Sequence, residues 1–283
     1  MVVRVISIGG SLLLLASLGI AALLYYQARQ QRETNGQYVA LGSSFAAGIG
    51  LGPRAPGSPL VCVRTASGYP NLLARMLGLK LVDRSCSGST TAHVLRKGRF
   101  FLTPQLDAVG PETVLVTITS GGNDVGYIGD LTFAAGAAGQ LGKLFWKGPQ
   151  PVEQRDFAQV TENLVGVVEV IKIRAPKAKV VLVSYPTVLP ASGTCDTLGI
   201  TDEMANTTRQ VAGKLEAATL AAAEQSGATY VDMAAISIGH DACSATPWVN
   251  GAGRGGGTPF HPNAAGAKAT AQAIFAAVSA ADR

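Results

Sequence analysis

Short apolar segments alternate with longer helical ones along most of this chain, and this alternation restricts the fold more than any other feature. Five segments have the length and the β-branched or aromatic content of buried strands, namely QYVAL, LKLVD, TVLVTIT, KVVLVSY and TYVDM. Strands that are buried on both faces and joined by helical crossovers form parallel sheets with helices on both sides. The sequence therefore predicts an α/β fold, a three-layer α/β/α sandwich around a mostly parallel five-stranded sheet.

The N-terminal segment Val5–Tyr26 contains no charged residue and is long enough to cross a bilayer. A cleaved signal peptide would have a shorter apolar region and a clear small-residue cleavage site. We therefore expect an uncleaved signal anchor or transmembrane helix at 1–26, a polar linker at 27–36 and a single catalytic or binding domain at 37–283. The domain would lie outside the cytoplasm on the cell membrane, or be secreted if the segment is cleaved.

Cysteine usage also indicates an oxidising compartment. The four cysteines occur singly, without a C-x-x-C pair or a histidine at zinc-ligand spacing. An even number beyond an export-type segment suggests disulfides, although four buried free thiols are the alternative. Of the three possible connectivities, we favour the one in which each bond closes a local loop, Cys62–Cys86 and Cys195–Cys243.

The net charge is +5, but the basic residues are scattered rather than gathered into a stripe with interleaved aromatic residues. This distribution is typical of a solvated surface and disfavours nucleic-acid binding. The sequence predicts no metal site and no cofactor, and a monomer is favoured. The expected partners are a small-molecule or lipid substrate and, through the N-terminal helix, a membrane.

Polar residues follow the predicted strands where a parallel sheet would bind ligands, at the carboxyl ends. Strand one ends in GSS with Ser44, strand two in DRSCSG with Gly88, strand three in SGGND with Asn123, and TPFHPN with His261 precedes the last helix. A serine hydroxyl needs a base, usually histidine, and the oxyanion of acyl transfer needs hydrogen-bond donors. We predict Ser44 and His261 as catalytic residues, with an oxyanion hole formed by the N–H groups of Ser44 and Gly88 and the Asn123 side chain.

The blocks LGSSF, SCSGST, GGND and FHPN, in this order, resemble the SGNH or GDSL-like hydrolase superfamily, and most closely its secreted, disulfide-containing bacterial lipases and esterases. The resemblance covers about residue 37 to the C-terminus. It implies the flavodoxin-like SGNH hydrolase fold and Ser44 as the nucleophile, with Ser43 as the less favoured alternative.

Two positions depart from the pattern of that superfamily. Ser43 stands where an aspartate is common, and Thr258 stands three residues before His261, where an aspartate commonly orients the imidazole. We therefore expect a Ser44–His261 dyad with the Thr258 carbonyl as the third member. Asp241 and Asp232 are the alternatives for that role.

The resemblance implies a serine esterase or lipase that hydrolyses carboxylic esters through an acyl-enzyme. The apolar segment Phe133–Trp146 and Trp248 favour an acyl or lipid ester. The alternatives are a carbohydrate O-acetyl esterase and a non-catalytic SGNH-fold module that binds glycans or lipids. A classical α/β-hydrolase is disfavoured, because its G-x-S-x-G turn would not follow the first strand.

Overall fold

In a computed structural model, which describes residues 2–30, 36–139, 148–253 and 257–280, five strands form one sheet. The strands are β1 (Tyr38–Gly42), β2 (Leu81–Asp83), β3 (Leu115–Thr119), β4 (Lys179–Val183) and β5 (Thr229–Val231). Their order is β2-β1-β3-β4-β5, and all four pairings are parallel. Each strand lies within one of the five predicted segments, except that β1 extends one residue beyond its segment to Gly42, so the predicted α/β fold is confirmed.

The described helices surround this sheet. They are α1 (Val2–Gln30), α2 (Ser44–Ala47), α3 (Tyr69–Leu77), α4 (Thr91–Leu95), α5 (Tyr127–Ala134), α6 (Phe157–Arg174), α7 (Asp202–Ser226), α8 (Met233–Ile236) and α9 (Ala264–Ala280), with short 3₁₀ turns at Gln105–Ala108 and Val152–Gln154. Thr201 caps the start of α7 by accepting a hydrogen bond from the Met204 N–H, and Gly227 ends the helix in a left-handed conformation.

Strand β1 shows how the core is divided between the two faces of the sheet. Its residues are all buried, and they alternate between two apolar clusters. Val39 and Leu41 join the cluster that contains residues of α6 and α7, whereas Tyr38 and Ala40 join the cluster that contains residues of α3 and α9. Successive side chains of a strand point to opposite faces, so this division is the expected three-layer arrangement.

The N-terminal segment departs from expectation. Helix α1 covers the apolar stretch and continues to Gln30, into the predicted linker, of which residues 31–35 lie outside the described part. A transmembrane helix needs about 20 consecutive apolar residues. Within the described residues, no helix combines the length and the apolarity needed to cross a bilayer, and the predicted transmembrane anchor is therefore not supported.

Two disulfides join Cys62 to Cys86 and Cys195 to Cys243, which is the connectivity favoured from loop closure. Cys86 lies three residues after the end of β2. Its N–H donates to the carbonyl of Gly42, 3.0 Å away, at the end of β1. The first disulfide therefore attaches the loop around Cys62 to the sheet edge where the predicted site residues lie.

Candidate active site

The end of β1 holds Ser44 at a fixed turn. Gly42 has a φ of 131°, and a Cβ atom there would lie 2.2 Å from the Thr119 carbonyl oxygen of β3, so only glycine fits. Buried Gln105 accepts from the Gly42 N–H at 2.7 Å and donates to the Gly42 carbonyl at 2.9 Å. Ser43 then precedes α2, and half-buried Ser44 is the first residue of that helix.

Ser44 and His261 meet although 217 residues separate them in the chain. The His261 Nε2 atom lies 2.7 Å from the Ser44 Oγ atom, which is hydrogen-bonding distance. His261 lies in the loop before α9 and is only 8% exposed, and the ring of Phe45 packs 4.9 Å from the imidazole. The structure thus brings together the hydroxyl and the imidazole that were predicted to act as a pair.

The group that orients His261 differs by one residue from the prediction. The His261 Nδ1 atom lies 2.7 Å from the carbonyl oxygen of Pro259. The expected Thr258 carbonyl instead accepts from the Asn250 side chain at 3.1 Å and from the His261 N–H at 3.3 Å. The prediction of Thr258 was therefore wrong, because the turn before His261 points the Thr258 carbonyl toward the backbone of the loop rather than toward the imidazole.

Neither alternative aspartate contacts His261. Asp241 accepts from the Cys243 N–H at 2.9 Å and so closes its own turn, which excludes it from the role proposed for it. Asp232 caps α8 by accepting from the Ala235 N–H at 3.0 Å. The third position is therefore held by an uncharged carbonyl.

This arrangement sets the protonation of His261. A carbonyl oxygen only accepts, so Nδ1 must carry the proton, and Nε2 is then the acceptor for the Ser44 hydroxyl. Burial lowers the pKa of His261 to about 4, and the hydrogen bond to the Pro259 carbonyl opposes this shift. At neutral pH the imidazole is uncharged, which is the state a general base requires.

Gly88 and Asn123 lie at the same edge of the sheet. The N–H of Cys86 donates to the carbonyl of Gly42, two residues before Ser44. The Asn123 side-chain amide donates to the Ser89 carbonyl at 2.8 Å. Both Gly88 and Asn123 are exposed to solvent. Within the described part of the chain, the N–H groups of Ser44 and Gly88 make no hydrogen bond, and one N–H of the Asn123 amide is also left for another acceptor.

Tyr185 is a part of this region that the sequence reasoning missed. Its hydroxyl lies 3.2 Å from the Ser43 Oγ atom and accepts from the Gly122 N–H at 3.0 Å, so it joins the loops that follow β1 and β3. Burial raises the pKa of Tyr185 to about 12, which keeps the hydroxyl protonated. Tyr185 follows β4, so the rule that ligands bind at the carboxyl ends of strands could have identified it.

Three polar residues outside the predicted site, Asp124, His93 and His240, have structural roles. Asp124 accepts from the Thr91 N–H at 3.0 Å and fixes the start of α4, and the ring of His93 belongs to the cap of the same helix. His240 stacks on Trp248 with ring centroids 4.0 Å apart. Trp248, one of the residues that predicted an acyl or lipid ester, is thus packed against another ring.

A parallel α/β sheet whose carboxyl edge joins a serine hydroxyl directly to a neutral imidazole defines a serine hydrolase. The model of the GDSL-like Lipase/Acylhydrolase family matches residues 40–269. The chain therefore belongs to this family and is an SGNH-type hydrolase.

Named relatives agree with this assignment. The chain is 35% identical to Lipase 2 of Streptomyces coelicolor over 90% of each sequence. Its structure is similar to a phospholipase A1 from Streptomyces albidoflavus, with a TM-score of 0.69 and 30% identity over 86% of this chain and 99% of that one. It is equally similar to an extracellular lipase from Streptomyces rimosus, with a TM-score of 0.69 and 29% identity over 85% of this chain and 98% of that one.

Proposed function

We propose that this lipase or esterase of the GDSL family hydrolyses acyl or lipid esters with Ser44 as nucleophile and His261 as base. The observation that carries the proposal is the 2.7 Å hydrogen bond between the Ser44 hydroxyl and the neutral Nε2 atom of His261. A serine hydroxyl becomes a strong nucleophile only when an adjacent base takes its proton.

The reaction has two halves. As Ser44 Oγ attacks the ester carbonyl, its proton moves to His261 Nε2, and the N–H groups of Ser44 and Gly88 with the Asn123 amide stabilise the oxyanion. Collapse of the tetrahedral intermediate breaks the bond to the alcohol, which leaves with the proton from His261. Water then attacks the acyl-enzyme with His261 as base again, and the carboxylic acid and free Ser44 are formed.

The proposed acyl preference depends on the surroundings of Tyr185. Tyr185 lines a mostly apolar cavity of about 230 Å³ together with Val188, Leu189 and Leu215, and none of the proposed catalytic or oxyanion residues lines it. Half of the segment Phe133–Trp146, which first suggested a lipid ester, lies outside the described residues, since 140–147 are not described. Because the Tyr185 hydroxyl also contacts Ser43, we propose that this cavity receives the acyl chain, which would favour an apolar acyl chain over a small acetylated sugar.

The disulfides support an extracytoplasmic location for the domain, because such bonds persist in oxidising compartments. The similar lipase from Streptomyces rimosus is described as extracellular. We propose that this domain also acts outside the cytoplasm.

A fluorophosphonate probe tests the nucleophile. Wild-type protein is expected to be labelled covalently, and the Ser44→Ala variant is expected to lose the label while keeping its circular dichroism spectrum. Ser43→Ala is the matched control, because the adjacent hydroxyl faces Tyr185 rather than His261. The Ser43→Ala variant should retain labelling. In a series of p-nitrophenyl esters, the wild type should hydrolyse an ester with an acyl chain longer than acetyl faster than the acetate. Unlabelled, folded wild-type protein would instead indicate the non-catalytic binding module.

A further inference from the structure

The side chain of Arg99 lies against Gly88, the glycine of the proposed oxyanion hole. A Cβ atom added to Gly88 would lie 2.2 Å from Arg99 Nη1 and 2.9 Å from Nη2, so the guanidinium occupies the place where a side chain would stand. Gly88 also has a φ of 77°. The positive φ favours glycine here, and the absence of a side chain leaves room for the cation next to the site.

No carboxylate neutralises this cation within the described residues. The ion pairs found there involve Arg155, Lys172 and Arg174. Besides its approach to Gly88, the Arg99 guanidinium lies over the ring of Phe100, whose centroid is 4.9 Å away. Arg99 is half-buried, and this burial lowers its pKa. A charge that is partly removed from water without a counter-ion is costly, and an anionic ligand would offset that cost.

The surroundings of Arg99 are suited to a lipid. Phe100 and Phe101 are 61% and 53% exposed beside it. Ser87 and Ser89, on either side of Gly88, have buried hydroxyl groups without a hydrogen-bond partner in the described part of the chain. A cation, polar hydroxyls and exposed aromatic rings therefore lie together next to the proposed oxyanion hole.

We propose that Arg99 binds the phosphodiester oxygens of a glycerophospholipid substrate and thereby selects this class of ester. The inference rests on the proposed function, since the bound lipid is the one whose ester reacts with Ser44. The short glycerol unit joins the phosphate to the ester carbonyls, so a phosphate held beside Gly88 brings a carbonyl toward the oxyanion donors. A guanidinium presents paired N–H donors that match phosphate oxygens.

Kinetics on two substrates test this role. We would compare dihexanoylphosphatidylglycerol with the uncharged dihexanoylglycerol, both in micelles of the same neutral detergent. Arg99→Gln is expected to lower kcat/KM for the phospholipid by about 10- to 100-fold relative to the uncharged ester. Arg99→Lys should restore part of the difference, because it keeps the charge but not the paired geometry. Lys97→Gln removes an equal charge from an exposed position on the same segment and should leave the ratio unchanged.

An unchanged ratio of the two kcat/KM values in Arg99→Gln would overturn the proposal. If both values fell equally, the result would also overturn it, because it would indicate a structural role for Arg99. Neither result affects the proposed function, which fails separately if the wild type hydrolyses neither ester. Binding provides a readout without catalysis, by calorimetry of monomeric dihexanoylphosphatidylglycerol with Ser44→Ala. Affinity should fall in Ser44→Ala/Arg99→Gln, and equal affinities would also refute the role of Arg99.

Discussion

His261, the proposed base, lies beside a neutral carbonyl rather than beside a carboxylate, and this limits how the protein can stabilise a charged imidazole. The Pro259 carbonyl fixes the tautomer and the orientation of the ring through its hydrogen bond to Nδ1. It supplies no negative charge to stabilise the imidazolium that forms during acyl transfer, unlike the aspartate of a full triad. Burial against Phe45 further disfavours the charged form.

The pH dependence of hydrolysis should therefore have a low acid limb. The pKa of His261 is about 4, whereas an ordinary histidine has a pKa of about 6.5. The base is active when neutral, so kcat/KM should fall only as the pH decreases through about 4. This limb is measured with p-nitrophenyl butyrate between about pH 3.5 and 8.

Stability must be followed in the same experiment, because it changes in the same direction. Between pH values of about 6.5 and 4 the unfolded chain binds a proton at His261 that the folded protein excludes, so the free energy of unfolding falls as the pH falls. Circular dichroism at each pH separates unfolding from titration. An acid limb near pH 6.5 in folded protein would show that the imidazole is less shielded from water than the structure indicates.

At the level of elements, the catalytic turn depends on a 3₁₀ turn remote in sequence. Gln105, at the start of the turn Gln105–Ala108, binds both the N–H and the carbonyl of Gly42, two residues before Ser44. The Gly42 carbonyl has a second partner in the Cys86 N–H, but the N–H of Gly42 depends on the Gln105 side chain. The end of β1 is thus held in place by a side chain from between β2 and β3.

Substitution of Gln105 by leucine should affect both stability and activity. The variant leaves the buried Gly42 N–H without its partner, which costs about 1–3 kcal/mol in the free energy of unfolding. Displacement of the nucleophile turn should also lower kcat/KM by about 10- to 100-fold. Urea unfolding and ester hydrolysis measure the two effects.

Asp107→Asn is the matched control on the same turn. Its carboxylate makes an exposed ion pair with Arg174 at 3.4 Å, and such pairs contribute less than about 1 kcal/mol. A Gln105→Leu variant that is as active as Asp107→Asn would mean that β1 and α2 position Ser44 without this contact.

The elements were predictable where local pattern determines structure. Apolar runs between helices identified all five strands, and the rule for parallel sheets placed Ser44, Gly88, Asn123 and His261 at one edge. The contact of Gln105 with Gly42 was not predictable, because it joins segments 63 residues apart through a side chain with no local signature. The assignment of the carbonyl to Thr258 rather than Pro259 failed because a single peptide rotation in the loop decides which oxygen faces the ring.

For the whole molecule, the two disulfides have different relations to the site. Cys62 and Cys86 are buried, and Cys86 lies two residues before Gly88, so their bond holds the turn that carries a proposed oxyanion donor. Cys195 and Cys243 are half-buried and join the loop before α7 to the loop after α8. The first bond lies two residues from a proposed oxyanion donor, whereas the second joins the loop before α7 to the loop between α8 and α9, which contains His261 18 residues after Cys243.

Removal of either disulfide should cost similar stability but unequal activity. The bonds span sequence separations of 24 and 48 residues, for which loop closure predicts losses of about 3–4 kcal/mol each. At a temperature where both double variants remain folded, Cys62→Ser/Cys86→Ser should lose most of its kcat/KM, because the turn that carries Gly88 is no longer tied to the loop around Cys62. Cys195→Ser/Cys243→Ser should keep more of its kcat/KM, because Cys243 lies 18 residues from His261 in their shared loop, whereas Cys86 lies two residues from Gly88. If Cys62→Ser/Cys86→Ser kept the higher kcat/KM of the two variants, the Gly88 N–H would not be an oxyanion donor, because activity would not depend on the turn that carries it.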